Sequence, residues 1–141
     1  MGLTLPQVAT PVANYVPALV TGTHVYTSGQ LPLVDGELLA VGRLGAEVST
    51  EEGRAAARVC ALNALAAAAQ AAGGLDRLAR AVKVVGFVSS VDGFHDQPQV
   101  MNGASDLLGE VFQTPHARSA VGVNTLPLNT PVEVEVIFEF A

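Results

Sequence analysis

Arg118 is the residue whose type and position are best suited to binding chemistry. From Val84 to the C-terminus it is the only Lys or Arg, and an apolar stretch follows it. A guanidinium beside strand-like sequence is costly to bury unless an anion meets it, and its planar fork of donors matches a carboxylate. Arg118 therefore either anchors a small carboxylate ligand or pairs with an acid such as Glu133 or Glu135 to tie strands together.

Two further places could contribute to such a site. The segment Thr27-Ser28-Gly29-Gln30 ends a predicted strand with a hydroxyl and with a glycine whose N–H can approach a ligand closely, or it is an ordinary turn. Glu133 and Glu135 share the acidic face of the last predicted strand. Each of them either takes part in such a site or is a solvated charge on an exposed face of the sheet.

The histidines and the single cysteine do not form a recognisable catalytic or metal-binding set. His24 and His95 are isolated, whereas His116 lies two residues from Arg118. Cys60 falls in an Ala/Leu helical pattern, which predicts a small core residue. Phosphate-binding and dinucleotide-binding motifs and a Cys/His metal-binding set are absent from the sequence.

The charge balance argues against nucleic acid as a partner. The chain has 7 Lys and Arg against 13 Asp and Glu, a formal net charge of −6. Affinity for nucleic acid comes largely from cations that neutralise phosphates, and this chain has few of them. We also predict no membrane span and no N-terminal leader, and therefore a cytoplasmic protein.

Two helices are predicted. Ser49-Thr50-Glu51-Glu52 has the capping-box pattern that starts a helix, the Ala-rich body runs over residues 54–72, and Gly73-Gly74 ends it. Residues 97–112 form the second helix, with apolar side chains on one face.

Short β-rich segments surround these helices, and together they indicate an α+β fold. The predicted strands cover residues 16–21, 24–28, 81–88, 119–123 and 132–140, with a short apolar run at 38–41. The expected architecture is a single domain over residues 1–141, a mixed sheet with two helices on one face. The other face needs a cover, which we expect from another subunit.

Several of these segments, taken in order, resemble a known family. The similar segments are Thr27-Ser28-Gly29-Gln30-Leu31-Pro32, Ala117-Arg118-Ser119, Leu126-Pro127 and Val132-Glu133-Val134-Glu135. They resemble the Rid/YjgF family of enamine and imine deaminases, also known as endoribonuclease L-PSP or translation-inhibitor-like proteins. The resemblance implies a chorismate-mutase-like α+β fold, a homotrimer with sites between subunits, and hydrolysis of 2-imino acids to 2-keto acids and ammonia without a cofactor.

The resemblance also implies roles for individual residues. Arg118 falls at the arginine that holds the substrate carboxylate, and Glu133 at the glutamate that orients the attacking water. Ser28 and Gly29 match the turn that lines the pocket, and Tyr15 matches a tyrosine near the N-terminus. A pocket asparagine from the second helix falls on Met101 without a gap, or on Asn102 with a gap of one residue.

The chain also departs from the family pattern. Ala120 replaces a cysteine two residues after the arginine, and His116 replaces a proline. We therefore expect a divergent subgroup that keeps the arginine chemistry. Two alternatives to a deaminase remain: a trimer that binds a small carboxylate without turnover, which would not need Glu133, and an endoribonuclease, which the negative charge disfavours.

Overall fold

A computed structural model describes residues 2–11 and 13–141 of the chain. It contains seven strands and two α-helices in the described residues, with short 3-10 turns at Leu75–Arg77 and Pro127–Asn129. In chain order the elements are β1 (Ala18–Thr21), β2 (His24–Thr27), β3 (Leu33–Val34), β4 (Glu37–Leu38), α1 (Thr50–Ala72), β5 (Leu78–Ser89), α2 (Gln97–Phe112), β6 (Ala117–Val123) and β7 (Val132–Phe140).

Five strands form one mixed sheet in the order β1-β2-β7-β5-β6, and β3 pairs with β4 as a separate hairpin. Strands β5 and β6 are parallel and joined through α2, whereas the other neighbours are antiparallel. Both helices pack on the same face of this sheet. The predicted α+β architecture, a mixed sheet with two helices on one face, is confirmed.

Helix α1 begins and ends where its sequence signals predict. The Ser49 hydroxyl accepts a hydrogen bond from the Glu52 N–H at 3.1 Å, and the Glu52 carboxylate accepts one from the Ser49 N–H at 3.1 Å. Gly73 adopts φ 94°, the left-handed conformation that closes a helix, and its N–H donates to the Ala69 carbonyl.

The buried face of α1 consists largely of alanines, whose small side chains let the helix pack closely on the sheet. By length and composition α1 is apolar enough to cross a membrane, which differs from the sequence prediction that no stretch is. Its apolar character has another explanation here, because most of its length is buried beneath β7 and α2.

The side chains of β7 alternate between the two faces of the sheet. Val132, Val134, Val136 and Phe138 alternate along it, and all four are buried under the helices. Glu133 and Glu135 point to the opposite face, where Tyr26 of β2 and Val121 of β6 are exposed. This second face, which we call the open face, has no layer covering it within the described chain.

The observed strands differ from the predicted ones mainly at their ends. Strand β5 runs over 12 residues and includes Leu78, whereas the prediction placed it at residues 81–88. Its extra residues pair with the end of β7 through irregular register near Arg80 and Lys83, and such local bulges leave no clear period in a sequence. The β3–β4 hairpin turns at Asp35-Gly36, and its strands are only two residues each, so most of the apolar run at 38–41 lies outside a strand.

Candidate functional site

Arg118 lies on β6, and its side chain points to the helix-covered side of the sheet. It pairs with Val84 of β5, a residue buried in the core beneath the helices. Its Nη1 donates to Asn102 Oδ1 at 2.8 Å and to Ser105 Oγ at 3.2 Å, both on α2. Among the described residues the one ion pair joins Arg80 and Glu139, so the structure does not support the interpretation that Arg118 pairs with Glu133 or Glu135.

The contact with Asn102 also distinguishes the two candidate positions on α2. Met101 is fully buried and packs over Gly86 of β5, where an added Cβ would collide with its Sδ. Asn102 is half-buried beside the guanidinium of Arg118. Of the two residues, only Asn102 is available to a ligand at Arg118.

Ser105 and His116 extend this cluster. His116 Nε2 lies 2.9 Å from Ser105 Oγ, the same hydroxyl that accepts from Arg118. Burial lowers the pKa of His116, and the positive charge of Arg118 lowers it further. Sequence reasoning singled out His116 but missed Ser105; the signal available for Ser105 was its position three residues after Asn102, on the same face of a helix.

Glu133 lies on the open face, paired with Phe87 of β5. Its carboxylate packs against Gly29, where any side chain larger than a hydrogen atom would collide with it. Burial raises the pKa of Glu133, and the nearby negative charge of Glu135 adds to that increase. Gly29 thus supplies the space in which a half-buried carboxylate can lie.

The turn after β2 positions Ser28 and Gly29 through its backbone. Ser28 Oγ donates to the Val16 carbonyl at 2.6 Å, and the Ser28 N–H donates to the Pro17 carbonyl at 2.8 Å. The preceding Thr27 is buried, and its hydroxyl accepts from the Val136 N–H at 3.0 Å. Thr27 therefore joins two strands, whereas Ser28 lies at the surface end of the turn.

Tyr15 lies beside this turn in a surface cleft. The cleft has a volume of about 510 Å³ and is lined in part by Tyr15, Tyr26 and Ser28. Half of the Tyr15 side chain is exposed. Tyr15 and Ser28 are thus near each other, as the predicted pocket requires, but their contact with a substrate stays a prediction.

One chain does not bring all of the predicted residues together. Val84, the partner of Arg118, and Phe87, the partner of Glu133, are three residues apart on β5. Because successive side chains of a strand alternate between faces, Arg118 and Glu133 lie on opposite faces of the sheet. Asn102 belongs with Arg118, and Gly29 belongs with Glu133.

The remaining polar clusters are better explained by structure than by ligands. Arg43 donates from Nη2 to the Ser90 carbonyl at 2.5 Å and to Asn124 Oδ1 at 3.4 Å. These bonds connect the loop before α1 with the loops that follow β5 and β6. Within residues 2–11 and 13–141, no three His, Cys, Asp or Glu side chains lie close enough to hold a metal ion. Cys60 is buried in the core, as its sequence context predicts, and burial raises the pKa of its thiol well above the usual value.

Comparison with known proteins places the chain in a family. The model of the family described as "YjgF/chorismate_mutase-like, putative endoribonuclease" matches residues 1–140. The chain is 44% identical over 142 aligned residues to Protein TCP17 of Trypanosoma cruzi, with 99% of this chain and 89% of the relative covered. It is 31% identical over 137 residues to a 2-iminobutanoate/2-iminopropanoate deaminase of Dermatophagoides farinae, with 96% and 92% covered.

A solved structure agrees with these relationships. The protein Atu1372 of Agrobacterium tumefaciens, described as of unknown function, superposes with a TM-score of 0.92 at 42% identity, covering 99% of this chain and 87% of that one. The observed sheet order and helix placement are those of the chorismate-mutase-like fold. The chain therefore belongs to the YjgF/Rid family.

Proposed function

We propose that the protein hydrolyses reactive 2-imino acids, and the enamines that interconvert with them, to 2-keto acids and ammonia. The observation that carries this proposal is the state of Arg118: it is half-buried, oriented by two neutral side chains, and free of any carboxylate partner in the described residues. Such a guanidinium is suited to a carboxylate ligand. The Dermatophagoides farinae relative, named as a deaminase of 2-imino acids, supports the same substrate class.

The proposed reaction needs one water and no cofactor. Arg118 holds the substrate carboxylate and so fixes the position of the adjacent C=N carbon. Glu133 accepts a proton from a water molecule as the water oxygen bonds to that carbon. The proton taken up by Glu133 passes to the nitrogen and gives a carbinolamine. The hydroxyl of the carbinolamine then loses its proton to the nitrogen as the C=O bond forms and the C–N bond breaks, and ammonia and the 2-keto acid leave. The raised pKa of Glu133 favours its role as a base, because a more basic carboxylate takes a proton more readily.

We further propose that this site forms between two copies of the chain in a homotrimer. Arg118 and Glu133 lie on opposite faces of one sheet, so a site that uses both requires a second copy. The open face offers Leu19, Tyr26 and Val121 as exposed apolar side chains for such an interface. In this arrangement Arg118 and Asn102 come from one copy, and Glu133, Gly29, Ser28 and Tyr15 from another.

A small anionic substrate agrees better with the charges than RNA does. The chain carries a formal charge of −6 and one lysine, and the half-buried Glu133 and Glu135 lie on the open face. RNA binding would bring phosphates towards these carboxylates with few cations to offset the repulsion.

A coupled assay tests the proposal. An amino-acid dehydratase or oxidase generates the imine, and the protein is expected to accelerate its conversion to the keto acid. Arg118→Ala should abolish the acceleration, whereas Arg58→Ala, which removes an exposed arginine of α1, should preserve it. Binding of 2-ketobutyrate by the wild type without any acceleration would refute the deaminase and support the carboxylate-binding alternative.

A further inference from the structure

Three side chains around Arg118 form one hydrogen-bonded chain: Asn102, Ser105 and His116. Arg118 Nη1 lies 2.8 Å from Asn102 Oδ1 and 3.2 Å from Ser105 Oγ, and Ser105 Oγ lies 2.9 Å from His116 Nε2. All of these side chains are half-buried, which favours fixed partners over exchange with solvent. His116 thus reaches Arg118 through a single hydroxyl.

The directions of these hydrogen bonds follow from which atoms carry protons. A guanidinium can only donate, so Ser105 Oγ accepts from Arg118. The hydroxyl proton of Ser105 is then available to donate, and His116 Nε2 is the acceptor within reach. This direction requires a neutral His116 with its proton on Nδ1, since an imidazole protonated on Nε2 would instead donate to the second lone pair of Ser105 Oγ. The lowered pKa of His116 agrees with the neutral form.

This arrangement determines which edge of the guanidinium faces a ligand. Nη1 donates to both Asn102 Oδ1 and Ser105 Oγ. Nε and Nη2 of Arg118 make no hydrogen bond within the described chain, and neither is among its polar atoms that are buried without a partner, which belong to Arg43, Ser89 and Thr114. Both nitrogens therefore keep some exposure to solvent. These two nitrogens present parallel N–H groups, which is the geometry that a carboxylate accepts in a bidentate pair.

We propose that His116 is a positioning residue that acts through Ser105: it holds the Ser105 hydroxyl so that Arg118 Nη1 is fixed and the Nε/Nη2 edge is presented to the ligand carboxylate. This inference rests on the proposed function for the identity of the ligand, but not for the hydrogen-bond chain itself. It gives a role to a histidine at a position where the resemblance to the family leads one to expect proline.

Binding measurements test the positioning role. With 2-ketobutyrate as the probe and calorimetry as the measurement, His116→Leu and Ser105→Ala should each weaken binding about tenfold, the scale of one hydrogen bond to a charged group. The double variant should be no weaker than either single variant, because both changes interrupt one chain. His116→Gln should bind like the wild type, since its side-chain carbonyl can accept from Ser105.

Kinetics and a matched control add a second readout. In the coupled assay His116→Leu should raise KM with little change in kcat, because the lost alignment affects the bound substrate and the transition state alike. His95→Leu, which removes an exposed histidine from the loop before α2, should change neither constant. Unchanged binding in His116→Leu, or additive losses in the double variant, would overturn the proposal.

A ligand-free measurement separates this inference from the proposed function. Long-range proton–nitrogen NMR spectra at pH 7.5 should show His116 in the Nδ1–H form, and Ser105→Ala should shift its Nε2 resonance while leaving His24 and His95 unchanged. An Nε2–H form would refute the proposed direction, in which Ser105 donates to His116, whatever the protein binds. If the wild type fails to bind 2-ketobutyrate but the expected tautomer is seen, the proposed substrate is wrong and the positioning of Arg118 stands.

Discussion

At the residue scale, the two charged side chains of the proposed site, Arg118 and Glu133, each lie without an oppositely charged partner in the described chain. Arg118 donates only from Nη1, to two neutral side chains, and the other edge of its guanidinium has no partner in the described chain. The Glu133 carboxylate is half-buried against Gly29, with the negative charge of Glu135 nearby. Each arrangement withholds a favourable partner from a charged side chain. A ligand or a water molecule that supplies the missing partner then gains binding energy at that point.

The Glu133 carboxylate should therefore lower stability at neutral pH. Its pKa is raised from 4.5 in the folded state, so the folded protein binds a proton more tightly than the unfolded chain does. The stability that this preference provides is present below pH 4.5 and is lost as the pH rises through the folded-state pKa. Glu133→Gln should then have a higher melting temperature than the wild type at pH 7.5, and the difference should vanish near pH 4.

Circular dichroism melts at the two pH values check this expectation. Glu135→Gln is the control, because it removes a charge from the same strand face without touching Gly29, and its gain should be smaller. In the coupled assay Glu133→Gln should lose roughly 10²-fold of the turnover, the scale of a lost general base, while it still binds 2-ketobutyrate. A Glu135→Gln variant that loses turnover while Glu133→Gln retains it would move the proposed base to Glu135.

At the element scale, a glycine in α2 allows this helix to approach α1 closely. A Cβ on Gly103 would collide with the backbone carbonyl of Arg54 on α1, whereas Gly109, on the same helix, has open space around the equivalent position. Because α2 carries Asn102 and Ser105, the approach of the two helices also sets the position of these partners of Arg118.

Substitutions to alanine at these two glycines should act in opposite directions. Gly103→Ala should destabilise the protein by about 1–3 kcal/mol, the cost of overpacking against backbone that cannot move aside. Gly109→Ala should stabilise it by up to about 1 kcal/mol, the difference in helix propensity. Urea denaturation measures the free energy of unfolding of both variants. An unchanged free energy of unfolding in Gly103→Ala would show that the helices can move apart without cost.

The sequence predicted the elements better than it predicted their contacts. Capping signals at Ser49 and Gly73 and the apolar face of α2 are local, and the helices begin and end close to where these signals lie. The contact between Arg118 and Asn102 joins two elements, and the alternation of faces along a strand does not show which face the helices cover. Ser105 was missed for the same reason, because its role depends on the packing of α2 against β6.

At the scale of the whole molecule, we expect further copies of the chain to pack on the open face. Leu19 and Tyr26 are exposed on it and stand opposite each other in the β1–β2 pair, and Val121 is exposed at the other edge of the sheet. An apolar surface of this kind on a protein of the YjgF/Rid family favours association with further copies of the chain. A second copy would also supply the Glu133 that one chain cannot bring to its own Arg118.

Sedimentation equilibrium at micromolar concentration should therefore give about three times the chain mass of 14.4 kDa. Tyr26→Glu should shift the protein towards monomer, because a carboxylate buried in an apolar interface without a partner is costly. Val34→Glu places the same charge at an exposed apolar residue of the separate β3–β4 hairpin and should leave the assembly intact.

Since the proposed site takes Arg118 and Glu133 from different copies, monomeric Tyr26→Glu should also lose imine hydrolysis while it remains folded. A monomeric variant with full turnover would show that one chain suffices, and would exclude any mechanism in which Arg118 and Glu133 act on the same substrate.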